Sequence, residues 1–219
     1  MIIAVDGPAA SGKGTIARAL ARHYKLAHLD TGLLYRAVAE NVRRMELNPQ
    51  IEADAVAASN FADALLDDPA LRSDDAGQRA SIVSAHPLVR AALLQRQRKF
   101  ANQPGGAVLD GRDIGTVIAP GADAKLFVKA TPQIRARRRH AELKERGSTI
   151  SLDRVLADIR ARDLRDTGRN AAPLVMAADA GILDTSFLSI EAAVKRAIEL
   201  VERQLALRAD MRQDRAAGS

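Results

Sequence analysis

Short, densely apolar runs alternate along the chain with longer stretches in which apolar residues recur at helical spacing. Ile2-Ile3-Ala4-Val5-Asp6, Leu26-Ala27-His28-Leu29, Ala107-Val108-Leu109-Asp110, Lys125-Leu126-Phe127-Val128 and Gly181-Ile182-Leu183-Asp184 read as strands buried on both faces. The first is followed by an amphipathic helix with Ile16, Ala17, Leu20, Ala21 and Tyr24 on one face and Arg18, Arg22 and His23 on the other. A second helix is expected from Leu33 to Met45, and Ala-rich helices over about 51–66 and 78–101, with a polar Asp/Gly stretch from Asp67 to Gly77 between them and Pro87 opening a new helix. Thr131-Pro132 caps an Arg-dense helix to about Arg146, and Ser151 caps another with Leu152, Val155, Leu156 and Ile159 inward. A polar, Arg-rich segment from Arg160 to Asn170 precedes Pro173. Ser189 caps the last helix, which turns Val194, Ala197, Ile198, Val201 and Leu205 inward and is expected to fray from about Arg208. Strand and helix in alternation imply an α/β fold, a parallel sheet covered on both faces, with ligands at the carboxyl ends of the strands. No internal repeat or low-complexity tract is evident.

Composition narrows the class only a little. A chain of 219 residues, 47% apolar, buries a substantial core as one domain. Its 33 Lys and Arg against 27 Asp and Glu give a net charge of +6, which suits anionic partners without selecting nucleic acid. Aromatic residues are 3% of the chain and Trp is absent, so no base-stacking surface for single strands is expected. The absence of Cys excludes a disulfide framework, a thiol nucleophile and a Cys-based metal site. No basic and apolar leader opens the chain and no stretch is long enough to span a bilayer, so a cytoplasmic protein without membrane partners is expected. The isolated histidines 23, 28, 86 and 140 lack ligand spacing and are assigned no role.

The most specific chemistry follows the first strand. Gly7-Pro8-Ala9-Ala10-Ser11-Gly12-Lys13-Gly14-Thr15 is a phosphate-binding loop: glycines at 7 and 12 permit the tight path, backbone N–H groups converge on an anion, and Lys13 adds an ammonium for the β- and γ-phosphates. The hydroxyl that normally follows the lysine arrives one residue late, at Thr15.

Gly14-Thr15 after the lysine, with Asp30-Thr31-Gly32-Leu33-Leu34-Tyr35-Arg36, resembles the nucleoside-monophosphate kinases. Pro87-Leu88-Val89-Arg90, Asp110-Gly111-Arg112-Asp113-Ile114-Gly115-Thr116-Val117, Arg162-Asp163-Leu164-Arg165-Asp166 and Ala172-Pro173-Leu174 narrow the resemblance to the bacterial cytidylate (CMP) kinases, from Ile2 to about Leu207. One region departs: between Met45 and Ser81 those kinases usually carry an insert with a small sheet, and here the stretch is shorter and reads as helical. The resemblance implies a P-loop three-layer αβα domain around a central five-stranded parallel sheet. Its core would comprise about 1–35, 103–150 and 172–207, its monophosphate-binding lobe about 36–102, its lid about 151–171 and its tail about 208–219.

The same resemblance implies Mg²⁺-dependent transfer of a phosphoryl group from ATP to CMP, and to dCMP, by a monomer. ATP would lie on residues 7 to 15, with Arg138 or Arg139 reaching adenine or the triphosphate, and Asp110 would hold Mg²⁺ through water, aided by the Thr15 hydroxyl. The alternatives are that Asp110 caps a turn and that Arg135, Arg137, Arg138 and Arg139 form a solvated helix face. The CMP phosphate would be held by Arg36 and Arg112 with Arg169 closing over it, Thr31 adding a contact, and Arg162 and Asp166 engaging the ribose. With Lys13, the arginines 112, 162 and 169 would carry the transfer. Ser81, Arg90 and Asp113 would read cytosine, Asp113 accepting from the exocyclic amine; Ser81 could equally be an ordinary helix hydroxyl.

Two other classes compete. Leu29-Asp30-Thr31-Gly32 carries the triplet of dimeric aspartic proteases, but those are nearly all β and leave residues 7 to 15 unexplained. A P-loop switch that binds nucleic acid lacks here the basic stripes and stacking aromatics it needs. Within the kinases, UMP, dCMP, AMP or shikimate are the alternative acceptors.

Overall fold

A computed structural model describes residues 1–217. Among them, β1 (Ile2–Asp6), β2 (Ala27–Asp30), β3 (Ala107–Gly111), β4 (Ala124–Lys129) and β5 (Gly181–Asp184) form one sheet in the order β2-β3-β1-β4-β5. Every pairing is parallel, with Asp6 opposite Gly111 and Asp30 opposite Asp110. The strands are the apolar runs of the sequence, shifted by a residue or two where a polar end residue still joins the ladder.

Helices α1 (Lys13–Tyr24), α2 (Thr31–Arg44), α3 (Glu52–Ala57), α4 (Asp74–Val83), α5 (Pro87–Ala101), α6 (Pro132–Glu145), α7 (Leu152–Gly168) and α8 (Ile190–Ala217) surround the sheet. Ile16, Ala17 and Leu20 of α1 and Ala197 and Val201 of α8 pack with Ile3, Val5, Leu126 and Val128 on one face. Ala101 of α5 and the short turn of π-helix Ile114–Ile118 cover Ala4 and Leu109 on the other. A separate core joins Leu34, Tyr35 and Val38 of α2 to Ala80 and Val83 of α4 and Val89 and Leu93 of α5. The caps at Thr131, Ser151 and Ser189 form as expected, each side chain accepting from a backbone N–H in the first turn.

Several element boundaries differ from the sequence expectation. The helix expected over 51–66 ends at Ala57, and its second half is a 3₁₀ turn, Asp63–Asp67. The stretch from Asp67 to Gly77 is largely helical: Asp68 caps a 3₁₀ turn that begins at Pro69, and Ser73 caps α4 through the Ala76 N–H. Polar composition reads that stretch as a break, but a proline at a first helical position and a capping hydroxyl start helical turns within it. The Arg-rich segment after Arg160 continues α7 to Gly168. The tail expected to fray from Arg208 remains in α8 to Ala217, with the Arg208 guanidinium donating to the Gly121 carbonyl at 3.3 Å and lying 3.6 Å from Asp123; Gly218 and Ser219 lie outside the described residues.

Candidate active site

The phosphate loop connects β1 to α1 at the carboxyl edge of the sheet. Gly7 runs beneath β4, where a Cβ would overlap the Val128 carbonyl oxygen, so no side chain fits. Ala10 (φ 57°) and Gly12 (φ 88°) both take left-handed backbone, turning successive N–H groups toward one point at the start of α1. Ala10 holds this conformation against the usual preference of a residue with a side chain, a local strain that the surrounding contacts sustain. Thr185, just past β5, braces the loop: its hydroxyl donates to the Ser11 carbonyl at 2.9 Å.

The loop opens into a cleft of about 960 Å³. Residues 9 to 15 line it, together with Arg36, Arg112, Arg162 and Arg165 and with Arg138, Arg139, Leu188 and Ile190. Lys13, Arg36, Arg112 and Arg162, separated in sequence, therefore converge on one volume. Their charges oppose one another. Burial and then Arg112 bring the Lys13 ammonium down to about 8, against the attraction of Asp110 and Asp30. Burial and Arg112 likewise bring Arg162 down to about 10. Cations held together out of bulk water, at the start of a helix, describe a site for a polyanion.

Asp30 and Asp110 face the same cleft. They are register partners on adjacent strands, so their side chains project side by side, and a Cβ on Gly14 would lie 3.5 Å from Asp110 Oδ2. Burial, then the Asp110 charge, raises the Asp30 carboxyl. His28 Nε2 lies 2.9 Å from Asp110 Oδ1, which gives this histidine a place at the site that isolated spacing in sequence could not signal.

The arginines are held by different anchors. Arg36 donates to the carbonyls of Leu71 (2.7 Å) and Ser73 (2.8 Å) and lies across α4 at Gly77, where a Cβ would come within 2.8 Å of it. Arg112 donates to Asp166 at 2.7 Å, and Arg162 and Arg169 approach the same carboxylate to 4.0 Å. Arg169 also donates to the Ala172 carbonyl at 2.6 Å. Arg138 grips the Thr185 hydroxyl and carbonyl at 3.0 and 2.6 Å, and Arg139 pairs with Glu142 at 3.0 Å.

The residues expected to read a base are buried and do not line the cleft. Arg90 and Asp113 form a buried ion pair, with Arg90 stacked 5.3 Å from the centre of the Tyr35 ring. Ser81, also buried, accepts from Arg165 Nε at 3.2 Å. Thr31 is buried and spends its hydroxyl on the Asp110 carbonyl at 2.9 Å, fixing β3 to the start of α2 instead of lining the cleft. Gly7 and Pro8 form the base of the loop and do not line it either.

Arg135 departs from the solvated-face alternative. It is 3% exposed, makes a bidentate pair with Asp163 of α7 (2.9 and 2.6 Å), and donates to the carbonyls of Ala130 and Ala9. One side chain thus ties α6, α7 and the phosphate loop together. Arg165, Thr185, Leu188 and Ile190 are further lining residues; Thr185 and the two apolar positions follow the last strand, where only the α/β rule for ligand placement points to them.

Among the described residues no helix is long and apolar enough to cross a membrane. A solved structure of an uncharacterized protein from Eubacterium ventriosum shares the fold at a TM-score of 0.54 and 15% identity, covering 92% of this chain and 98% of that one. A cytidylate kinase of Xanthobacter autotrophicus is 58% identical over 207 residues, 94% of this chain and 99% of its own. Another from a Bradyrhizobium species is 56% identical over 203 residues, covering 92% of this chain and 96% of its own. The cytidylate kinase family profile matches residues 3–203, and the chain belongs to that family.

Proposed function

We propose that the protein transfers the γ-phosphoryl group of ATP to CMP, with dCMP as a second acceptor. The observation that carries this is the convergence of Lys13, Arg36, Arg112 and Arg162 on one cleft, two of them with charges destabilised by burial and mutual repulsion. Two phosphorylated nucleotides relieve that repulsion, and family membership says which acceptor is expected.

ATP lies with its phosphates on residues 9 to 15, and Lys13 neutralises charge that moves toward the β–γ bridge as the bond breaks. Arg36 and Arg112 hold the CMP phosphate in line. Arg162 and Arg169, gathered about Asp166, complete the charge cage, which lets two anions approach that would otherwise repel. Arg162 and Asp166 also reach the ribose. Water is excluded by α7, which Arg135 fixes against α6 through Asp163.

Asp30 and Asp110, register partners, line the cleft together with Thr15, and these oxygens would be a donor set suited to a hydrated Mg²⁺. When bound, the ion offsets negative charge on the β- and γ-phosphates. His28 holds Asp110 from the outer side, as outer hydrogen bonds do for ligating carboxylates.

Cytosine is read by Asp113, oriented by Arg90, with Ser81 nearby. A carboxylate accepts from the exocyclic amine of cytosine and meets a carbonyl in uracil, acceptor against acceptor, at a cost of about 2 kcal/mol. Localisation in the cytoplasm and action as a monomer accord with this small-substrate chemistry.

The test is ADP formation from ATP and Mg²⁺ with CMP, dCMP, UMP, AMP or no acceptor, run in parallel on the parent and Asp113→Ala. CMP and dCMP should lead by about tenfold or more over UMP, and Asp113→Ala should erase most of that lead. Equal turnover without acceptor overturns the proposal.

A further inference from the structure

Asp6 ends β1 one residue before the phosphate loop, and none of the roles above uses it. Its carboxylate is buried and splits its two oxygens between backbone N–H groups of another segment: Oδ1 accepts from Ile114 at 2.8 Å and Oδ2 from Gly115 at 2.7 Å. Those residues begin the short turn that follows Arg112 and Asp113 directly. On the far side of Asp113, its carbonyl accepts from the N–H groups of Val117 and Ile118 at 2.9 and 3.1 Å. The turn is also packed from behind, since a Cβ on Gly115 would lie 3.1 Å from the Lys125 side chain and 3.3 Å from Asp6 Oδ2.

A two-point hold of this kind fixes both the position and the tilt of a loop, which a single hydrogen bond does not. It also joins the two halves of the site: the donor loop starts at the residue after Asp6, and the two acceptor residues sit immediately before the turn it holds. The charge is kept at a cost. Burial pushes the carboxyl up to about 6 despite both N–H donors, with Asp113 adding to the rise and Arg112 opposing it. A residue that merely filled space here would not need to be an acid.

We propose that Asp6 is a positioning residue for acceptor recognition, clamping the Ile114 and Gly115 N–H groups so that Arg112 and Asp113 are set against the phosphate and base of the nucleotide acceptor. It rests on the assignment of those two residues to the acceptor site made above. Asp6→Asn keeps the shape but offers one acceptor oxygen, and its NH₂ opposes the other N–H. Asp6→Ser offers a single, shorter reach.

Steady-state kinetics on both variants and on Asp113→Ala, varying CMP, UMP and ATP separately, tests the proposal. Asp6→Asn should raise KM for CMP about tenfold and narrow the CMP to UMP ratio of kcat/KM about as much, while KM for ATP stays within about twofold and the melting temperature within about 5 °C. An equal rise in both KM values, or a melting temperature that falls in step with activity, overturns it in favour of a general structural role. If Asp113→Ala changes CMP selectivity and Asp6→Asn does not, the clamp is refuted and the base reading stands. If Asp113→Ala changes nothing, the base reading falls; the clamp then stands through Arg112 only if Asp6→Asn still raises KM for CMP, and is refuted otherwise. Amide hydrogen exchange on the unaltered protein decides independently of any variant. Ile114 and Gly115 should exchange as slowly as residues of β1, and fast exchange at both overturns the clamp.

Discussion

Single residues here carry charges that the fold tolerates and the ligands need. Lys13, brought down to about 8, is half neutral just above physiological pH, and an anion favours its charged form. ATP binding at pH 8.5 should therefore take up a fraction of a proton, and affinity should fall about tenfold between pH 7 and 9. Calorimetry in buffers of different ionisation enthalpy measures the uptake, which should vanish in Lys13→Met. Asp6 works in the opposite sense. Its carboxyl titrates near 6 in the fold and 3.8 when free, so the folded state binds more protons between those values; stability is full below the lower value and is lost as pH rises through the upper. The cost above pH 6 is about 3 kcal/mol. Arg112, Asp113 and Lys125 surround it, so the comparison with Asp6→Asn isolates its share: unfolding free energy of the parent relative to the variant should rise by about that amount from pH 7 to 4. The sequence made Lys13 legible because the loop motif is local. It left His28 unread, because the contact with Asp110 spans 82 residues and depends on strand order.

At the scale of elements, α7 is held over the cleft by two buried pairs, Arg135 with Asp163 and Arg112 with Asp166, and by Val155 and Ile159 packed on α6, with an Arg135 bond to the phosphate-loop carbonyl of Ala9. Asp163 is partly solvated, so its loss costs less than a fully buried pair would, about 2 kcal/mol. Asp163→Ala should lower the melting temperature by about 5 °C and raise ATP hydrolysis in the absence of acceptor, measured as phosphate release. Unchanged hydrolysis would separate α7 from water exclusion. Arg135 sits in a run of arginines, and a run reads as a solvated face; its partner is 28 residues downstream on another helix, which periodicity does not register. From Asp67 to Gly77 the difficulty is opposite. The Asp and Gly residues of this stretch read as a break, yet Pro69 and the caps at Asp68 and Ser73 start short helical turns there, and the Leu71 and Ser73 carbonyls carry Arg36.

For the whole molecule, the parallel sheet was legible because apolar runs, intervening amphipathic helices and a phosphate loop after the first strand all agree on one architecture. The order β2-β3-β1-β4-β5 brings Asp30, Asp110, Asp6 and Asp184 to the same edge, from strands far apart in the chain. The acceptor side was legible only in part: the motifs marked Arg90 and Asp113, but their mutual pairing and the use of the Thr31 hydroxyl to fix β3 are tertiary facts. The two halves of this cleft are proposed to exchange a phosphoryl group between two nucleotides and keep it from water. Phosphorus NMR of ATP, Mg²⁺ and CMP with the enzyme tests it most directly. ADP and CDP should appear in equal amounts with no inorganic phosphate. Inorganic phosphate in place of CDP, or ADP formed at the same rate without CMP, would contradict it.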